Sequence, residues 1–288
     1  MRRTFSTGIR TALLAIAVAS LSVIANAAPP PPAAGNGTTT IRWLGQAAFE
    51  IKTPSGKVLL IDPWLKNPMN PDAANGKDPL AAIPKVDYIL ITHGHFDHVG
   101  DAVEIGKKTG ARLVTNFELG QNLARLLGYP EKQMGFDSLM NIGGEITIAD
   151  GEVIVMMVPA IHSSGLDVGE GKPLAYGGNP AGFVLRIKNG PSIYHTGDTA
   201  FFRDMELIGE GGGVDVGLIN IGGHFGMSPK MAVRAADAVK AKVVVPHHYK
   251  SFPILTQDPS EFARAVTDRA RVLAPGGTLT FVGNKEKK

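Results

Sequence analysis

Residues 89–101 read ILITHGHFDHVGD, and three of the chain's eight histidines fall within six positions of that stretch. A lone histidine is ordinarily a satisfied core or surface residue. His93, His95 and His98 interleaved with Asp97 form a dense set of imidazole and carboxylate donors, the ligand chemistry of a borderline divalent metal such as zinc. His93 and His95 stand two apart, so an extended backbone turns both to one side. Asp97 and His98 follow in a turn that can aim them elsewhere. The 288 residues include no cysteine, which excludes thiolate sites, disulfides and a cysteine nucleophile. No Gly-x-Ser-x-Gly occurs to support a serine nucleophile.

The elements that must position such donors are apolar and β-branched. The run DYILIT ends at His93, EVIVMMVPA runs into His162, PSIYHTG ends at Asp198, and AKVVVP ends at His247 and His248. Ligand groups in α/β sheets gather at the carboxyl ends of strands, so four such endings point to one shared site. Further strand-like runs are TIRWLGQAAFEIK, KVLLID, RLVTN, FVLRIK and VGLINI, bounded by Gly, Pro or Asn. Helical periodicity covers FELGQNLARLLG, SPKMAVRAADAVKA and SEFARAVTDRARVL, with Ser228 and Ser260 as N-caps and Pro229 in a first turn. Early strands follow one another as hairpins, later ones alternate with helices, and no solenoid repeat is present. The pattern is that of one mixed α/β domain.

His-x-His-x-Asp-His at a strand end, followed by isolated His, Asp and His at later strand ends, resembles the metallo-β-lactamase superfamily. The phrases LLIDPWLKNP, ITHGHFDHVGD, IHSSG, YHTGDTAFFRDMELIGE and VVVPHHYKSFP resemble a branch of metal-dependent hydrolases related to ascorbate-phosphate lactonases. The resemblance implies an αββα sandwich of the α+β type, a single domain with a metal centre at one edge of its two sheets. It implies a first metal at His93, His95 and His162 and a second at Asp97, His98 and His248, with Asp198 bridging them. The family places its last ligand immediately before a tyrosine, which selects His248 over His247. Two divalent ions, zinc by default and manganese as runner-up, would activate water as hydroxide, and Asp198 would accept the nucleophile's proton.

Other polar residues carry two readings each. His195 sits inside its strand end and reads as packing or support. Asp62 is either the partner that orients a ligand histidine or a turn residue before Pro63. His224, in IGGHFGMS, divides evenly between a catalytic role (substrate contact or proton transfer) and an ordinary loop role. Tyr249 either polarises a substrate or packs beside the site, and the Gly-Gly pairs read as turns. The polar stretches 63–84 and 163–182 are expected to form a rim or lid; Trp64 and Tyr176 stand out among their few aromatics.

The formal charge is +3. Arg2, Arg3 and Arg10 supply three positive charges, and no acidic residue precedes Glu50. A basic start, the apolar run ALLAIAVASLSVIANA and the small-x-small ending Ala25-Asn26-Ala27 read as a signal peptide over residues 1–27. The run is short of the ~20 apolar residues a membrane anchor needs. Residues 28–40 read as a Pro/Gly/Thr-rich linker and 41–284 as the hydrolase domain. Removing the three arginines leaves a formally neutral chain, +3 minus 3, with no electrostatic footprint for nucleic acid.

The expectation is therefore a periplasmic or secreted protein, exported by the general or the twin-arginine route and not inserted in a membrane after cleavage. It would cleave a small-molecule ester or lactone. Alternatives are a β-lactamase, a phosphodiesterase or phospholipase of the same fold, and a non-catalytic metal-binding protein of the envelope. Oligomeric state and substrate identity are not legible.

Overall fold

The computed structural model describes residues 37–81, 83 and 85–287. The expected signal peptide and most of the expected linker lie outside the described residues.

The first half of the domain lays down β1 (Thr38–Trp43), β2 (Phe49–Lys52), β3 (Val58–Ile61), β4 (Tyr88–Leu90), β5 (Arg112–Asn116) and β6 (Leu139–Met140). The first three are antiparallel neighbours, and β3 through β6 are parallel. The second half lays down β7 (Glu145–Ile148), β8 (Val153–Pro159), the two-stranded ribbon β9 (Gly165–Leu166) and β10 (Ala175–Tyr176), then β11 (Ala181–Ile187), β12 (Ser192–His195), β13 (Val216–Asn220) and β14 (Val243–His247). The chain then returns through β15 (Thr278–Val282) and β16 (Lys285–Glu286) to the far edge of the first sheet. The result is an 8-stranded sheet ordered β16-β15-β1-β2-β3-β4-β5-β6 and a 6-stranded sheet ordered β14-β13-β12-β11-β8-β7.

Side-chain alternation explains how the layers stack. In β3, Leu59 and Ile61 enter the core shared with the second sheet, while Leu60 enters a separate cluster beneath the helices. The same division separates Leu90 from Ile89 in β4 and Val114 from Leu113 in β5. Strands buried on both faces read as continuous apolar runs, as these do.

The outer layer over the first sheet includes α3 (Ala102–Thr109) and α4 (Phe117–Leu127), which follow the short α1 (Pro71–Ala74) and α2 (Phe96–Val99). Ile105, Leu119 and Leu123 supply their buried contacts. The second half contributes α5 (Met205–Ile208), α6 (Pro229–Ala238) and α7 (Ser260–Val266), and Ala232, Ala235 and Phe262 reach the core. This is the αββα sandwich that the sequence implies.

Four local expectations are corrected. β1 begins at Thr38, inside the expected linker, because Thr38 to Thr40 pair with β15 and Thr39 is buried. The last strand ends at Glu286, two residues past the expected boundary. Ser228 does cap α6, accepting from the Met231 amide at 3.4 Å, but Ser260 is not a cap. Asp258 accepts from the Ser260 amide (2.9 Å) and hydroxyl (2.6 Å), and Ser260 is the first helical residue. That helix also stops at Val266 rather than near 273. Thr267 adopts a positive φ of 57°, and the Arg271 amide donates to the Val244 carbonyl at 2.8 Å, so sheet pairing outcompetes helix continuation.

Candidate metal centre

β8 and β12 are both antiparallel to β11, and β13 and β14 are parallel to β12, so these four strands end at one edge. His162, Asp198 and His248 lie just past three of those ends. β4, in the other sheet, delivers His93, His95, Asp97 and His98 to the same edge, and Thr92 O accepts from the Ala181 amide at 3.1 Å to stitch the sheets there. Gly197 (φ 56°) turns the chain before Asp198. A Cβ there would sit 2.7 Å from the Ala181 carbonyl oxygen, so glycine is required.

The seven side chains converge. Ligand-capable atoms of His93, His95 and His162 lie within 4.8 Å of one another, as do those of Asp97, His98 and His248, and those of His93, His98 and Asp198. Asp198 Oδ2 is 3.0 Å from His248 Nε2, 3.4 Å from His98 Nε2 and 3.7 Å from His162 Nε2. His248 Nε2 is also 3.2 Å from Asp97 Oδ2.

Burial opposes charge throughout the cluster, yet the facing carboxylates prevail at two imidazoles. Asp198, Asp62 and Asp97 raise His98 well above its ordinary value, and Asp198 with Asp97 lifts His248 to about 9. Burial likewise works against ionised Asp97, but His98 and His248 bring it down to about 2; Asp198 is held well below the usual carboxylate range by the same pair. His93 is driven well below its ordinary value, first by burial and then by His98.

Whether a cation fits can be judged from what the donors leave unpaired. The Nε2 atoms of His98 and His248 are buried and make no well-aligned hydrogen bond among the described residues, although carboxylate oxygens lie 3.0–3.4 Å away. Buried polar atoms are otherwise almost always paired. Imidazole-rich donors with three such groupings and unpaired nitrogens aimed inward suit a divalent metal.

A supporting layer fixes the donors. Asp62 Oδ2 accepts from His98 Nδ1 at 2.7 Å and from the Thr92 hydroxyl at 2.7 Å, and Oδ1 accepts from the Thr92 amide at 2.8 Å. Asp62 therefore orients a histidine rather than merely making a turn. Asn220 Nδ2 donates to Asp198 Oδ1 at 2.6 Å, and Gln46 Nε2 donates to Asp97 Oδ2 at 2.8 Å. The Gln46 carbonyl also accepts from the His248 amide at 3.0 Å.

Neither Asn220 nor Gln46 was singled out in the sequence; only the structure brings them to the carboxylates. Gln46, Asp62 and His248 share a backbone peculiarity, φ of 49°, 46° and 59°. Left-handed non-glycine residues cost about 1–3 kcal/mol each and cluster at functional sites. Gly222, read as a turn former, is needed for close approach, since a Cβ would lie 2.8 Å from His248 Nδ1.

The remaining candidates separate cleanly. His195 is buried packing: Nε2 donates to the Ala47 carbonyl (3.0 Å) and Nδ1 accepts from the Gly197 amide (3.0 Å). His247 stacks on His195 at 4.7 Å and meets Phe49 edge-on, with Thr196 Oγ1 3.3 Å from its Nε2. Tyr249 is buried and stacks on Trp43 at 5.3 Å. His224 is exposed, lies edge-on to Phe225, and has no hydrogen bond to the donors. That placement favours the loop reading over proton transfer.

His248→Ala is expected to lower activity roughly 10³-fold, and His247→Ala by less than about tenfold. Stability should show the reverse bias, because emptying the His247 site costs about 2–4 kcal/mol. Steady-state kinetics paired with urea unfolding checks both; reversal of the kinetic order would put His247 in the centre.

A cavity of about 710 Å³ opens over the donors, lined by His95, Asp97, His162, Asp198 and His248 at its floor and Phe96, Phe225 and the 252–255 segment at its walls. Among the described residues of the expected rim segments, only Ser163 lines it. The 63–84 segment instead buttresses the wall through Trp64, which stacks on Phe252. Tyr176 sits exposed on the small ribbon.

The β-lactamase superfamily domain matches residues 57–249 of the chain, the class that the sandwich and its edge centre define. The UPF0173 metal-dependent hydrolase of Thermodesulfovibrio yellowstonii is 49% identical over 234 residues, covering 81% of this chain and 86% of the relative. A UPF0173 metal-dependent hydrolase of Anaeromyxobacter dehalogenans is 51% identical over 251 residues, covering 85% and 88%. Among solved structures, the metallo hydrolase Igni18 of Ignicoccus hospitalis is 33% identical with a TM-score of 0.72, covering 85% of this chain and 98% of that one. The chain belongs to the UPF0173 family of metal-dependent hydrolases within the metallo-β-lactamase superfamily.

Proposed function

We propose that this hydrolase uses a dinuclear centre to cleave a small ester or lactone, and that it works outside the cytoplasm. The observation that carries the dinuclear reading is the pair of donor triads, His93-His95-His162 and Asp97-His98-His248, with Asp198 facing members of both. Zinc is the expected metal because five of the seven donors are imidazoles, with manganese next. Bound divalent ions supply Lewis acidity and lower the pKa of water towards neutrality.

The chain's own residues do the rest. Asp62, Asn220 and Gln46 hold three donors in fixed orientation, which limits reorganisation during reaction. Asp198 Oδ2 is the oxygen placed among His98, His162 and His248, and is the site we assign for receiving the nucleophile's proton. The open cavity admits a small molecule directly above these atoms.

The test is metal analysis of purified protein with a panel of esters, lactones, β-lactams and phosphodiesters. Turnover confined to β-lactams or phosphodiesters would replace the ester reading. A metal-loaded protein inert towards the whole panel would favour a binding role. Export is tested separately: the reading expects a mature terminus at Ala28. Replacing Arg2 and Arg3 by lysine should block a twin-arginine route but not the general one. An intact Met1 on cytoplasmic protein would overturn export.

A further inference from the structure

The donors occupy only the floor of the cavity. Its walls are Phe96, Phe225, Phe252, Pro253, Ile254 and Leu255, and no lysine or arginine among the described residues lines it. Phe96, Phe225 and Ile254 are each more than half exposed. Large apolar side chains left open beside a polar floor mark a ligand surface.

This wall is built rather than incidental. Trp64 stacks on Phe252 (5.7 Å, 13°) and meets Phe96 edge-on at 5.7 Å, and Phe96 meets Phe252 at 6.2 Å. Trp64 is held in turn: its amide donates to the Asp62 carbonyl at 2.8 Å, and Asp101 Oδ2 accepts from the Leu65 and Lys66 amides at 2.7 and 2.9 Å. The residue whose carboxylate orients His98 therefore also anchors the aromatic wall. On the other side, the Thr256 amide donates to the Gly222 carbonyl at 2.9 Å and the Lys250 amide to the Thr256 carbonyl at 2.8 Å, which pins the loop bearing Phe252 and Ile254 to the loop bearing Phe225. Preorganised apolar walls bind without first paying for their own ordering.

We infer that the wall is a site for an apolar chain, so that the substrate is an ester or lactone with an acyl or alkyl chain lying along Phe96, Phe225, Phe252 and Ile254. The reacting carbonyl over the donors rests on the hydrolase reading above. The chain site rests on the wall itself. A short, charged or sugar-like substituent would leave these rings in water and gain nothing from them. Each fully buried methylene strengthens binding about fourfold. Four added methylenes along a partly open wall should therefore give at least about tenfold.

Two measurements test this on the full-length, metal-loaded protein. Isothermal titration with 1-butanol and 1-octanol, neither of which can be hydrolysed, should show octanol binding at least about tenfold tighter. Kinetics on p-nitrophenyl butyrate and octanoate should show kcat/KM rising by a similar factor. Phe252→Ser should remove most of both differences; Phe225→Ser, at a half-exposed position that the fold does not need, should do so in part. Equal alcohol affinities together with equal kcat/KM for the two esters would overturn the chain site while leaving the hydrolase intact. Length-dependent alcohol binding without cleavage of either ester would support the chain site and overturn the ester reading instead.

Discussion

Replacing Asp198 or His95 by alanine is expected to lower kcat/KM roughly 10³-fold or more, with the far-UV spectrum and cooperative unfolding retained. Asp198 is the only one of the seven donors whose Oδ2 faces histidines of both triads, while its Oδ1 is occupied by Asn220. Under the dinuclear reading its removal disables both halves of the centre at once. His95 is half-buried at the cavity floor, and its Nδ1 lies 2.9 Å from His93 Nε2. Neither side chain belongs to the apolar core between the sheets, which is why the fold should survive. A loss below about tenfold for Asp198→Ala would remove that residue from the centre.

Chelation should release close to two divalent ions per chain, abolish turnover and lower the melting temperature by roughly 10 °C. A ligand present at a thousand times its dissociation constant stabilises by about 4 kcal/mol. For a domain of this size each kcal/mol moves the midpoint by about 2–4 °C. The raised values of His98 and His248 moderate the loss, because protons on those rings partly compensate the buried carboxylates once the ions leave. Plasma emission spectroscopy with differential scanning calorimetry checks the count and the shift together. A stoichiometry near one, with both triads accessible, would count against the dinuclear reading.

Much of the centre was legible because its donors sit where strand periodicity stops. Apolar runs such as DYILIT and AKVVVP end abruptly in histidine, and that contrast is local in sequence. The choice of His248 over His247 needed the resemblance; the structure supplies a physical reason for it, since a φ of 59° turns His248 towards Asp97 and Asp198 and leaves its neighbour against His195. Asn220 and Gln46 were not legible, because their partners lie 22 and 51 residues away and nothing in their flanks marks them. The aromatic wall was missed for a related reason. Trp64, Phe96, Phe225 and Phe252 come from four separate segments, none aromatic-rich by itself. Among the elements, α3 escaped notice because it is short and interrupted by Gly106, which is there to admit the Tyr129 ring: a Cβ would lie 2.7 Å from it. α7 was read too long because Ala270 and Arg271 pair with β14, a competition no local propensity reveals.

The division of donors between the two sheets also bears on timing. His93, His95, Asp97 and His98 are neighbours in the chain from the moment it is made, whereas His162, Asp198 and His248 arrive only when the second sheet has formed and docked. An ion met early by the local four would lack the remaining donors. A metal held by all seven donors would therefore require both sheets to be in place.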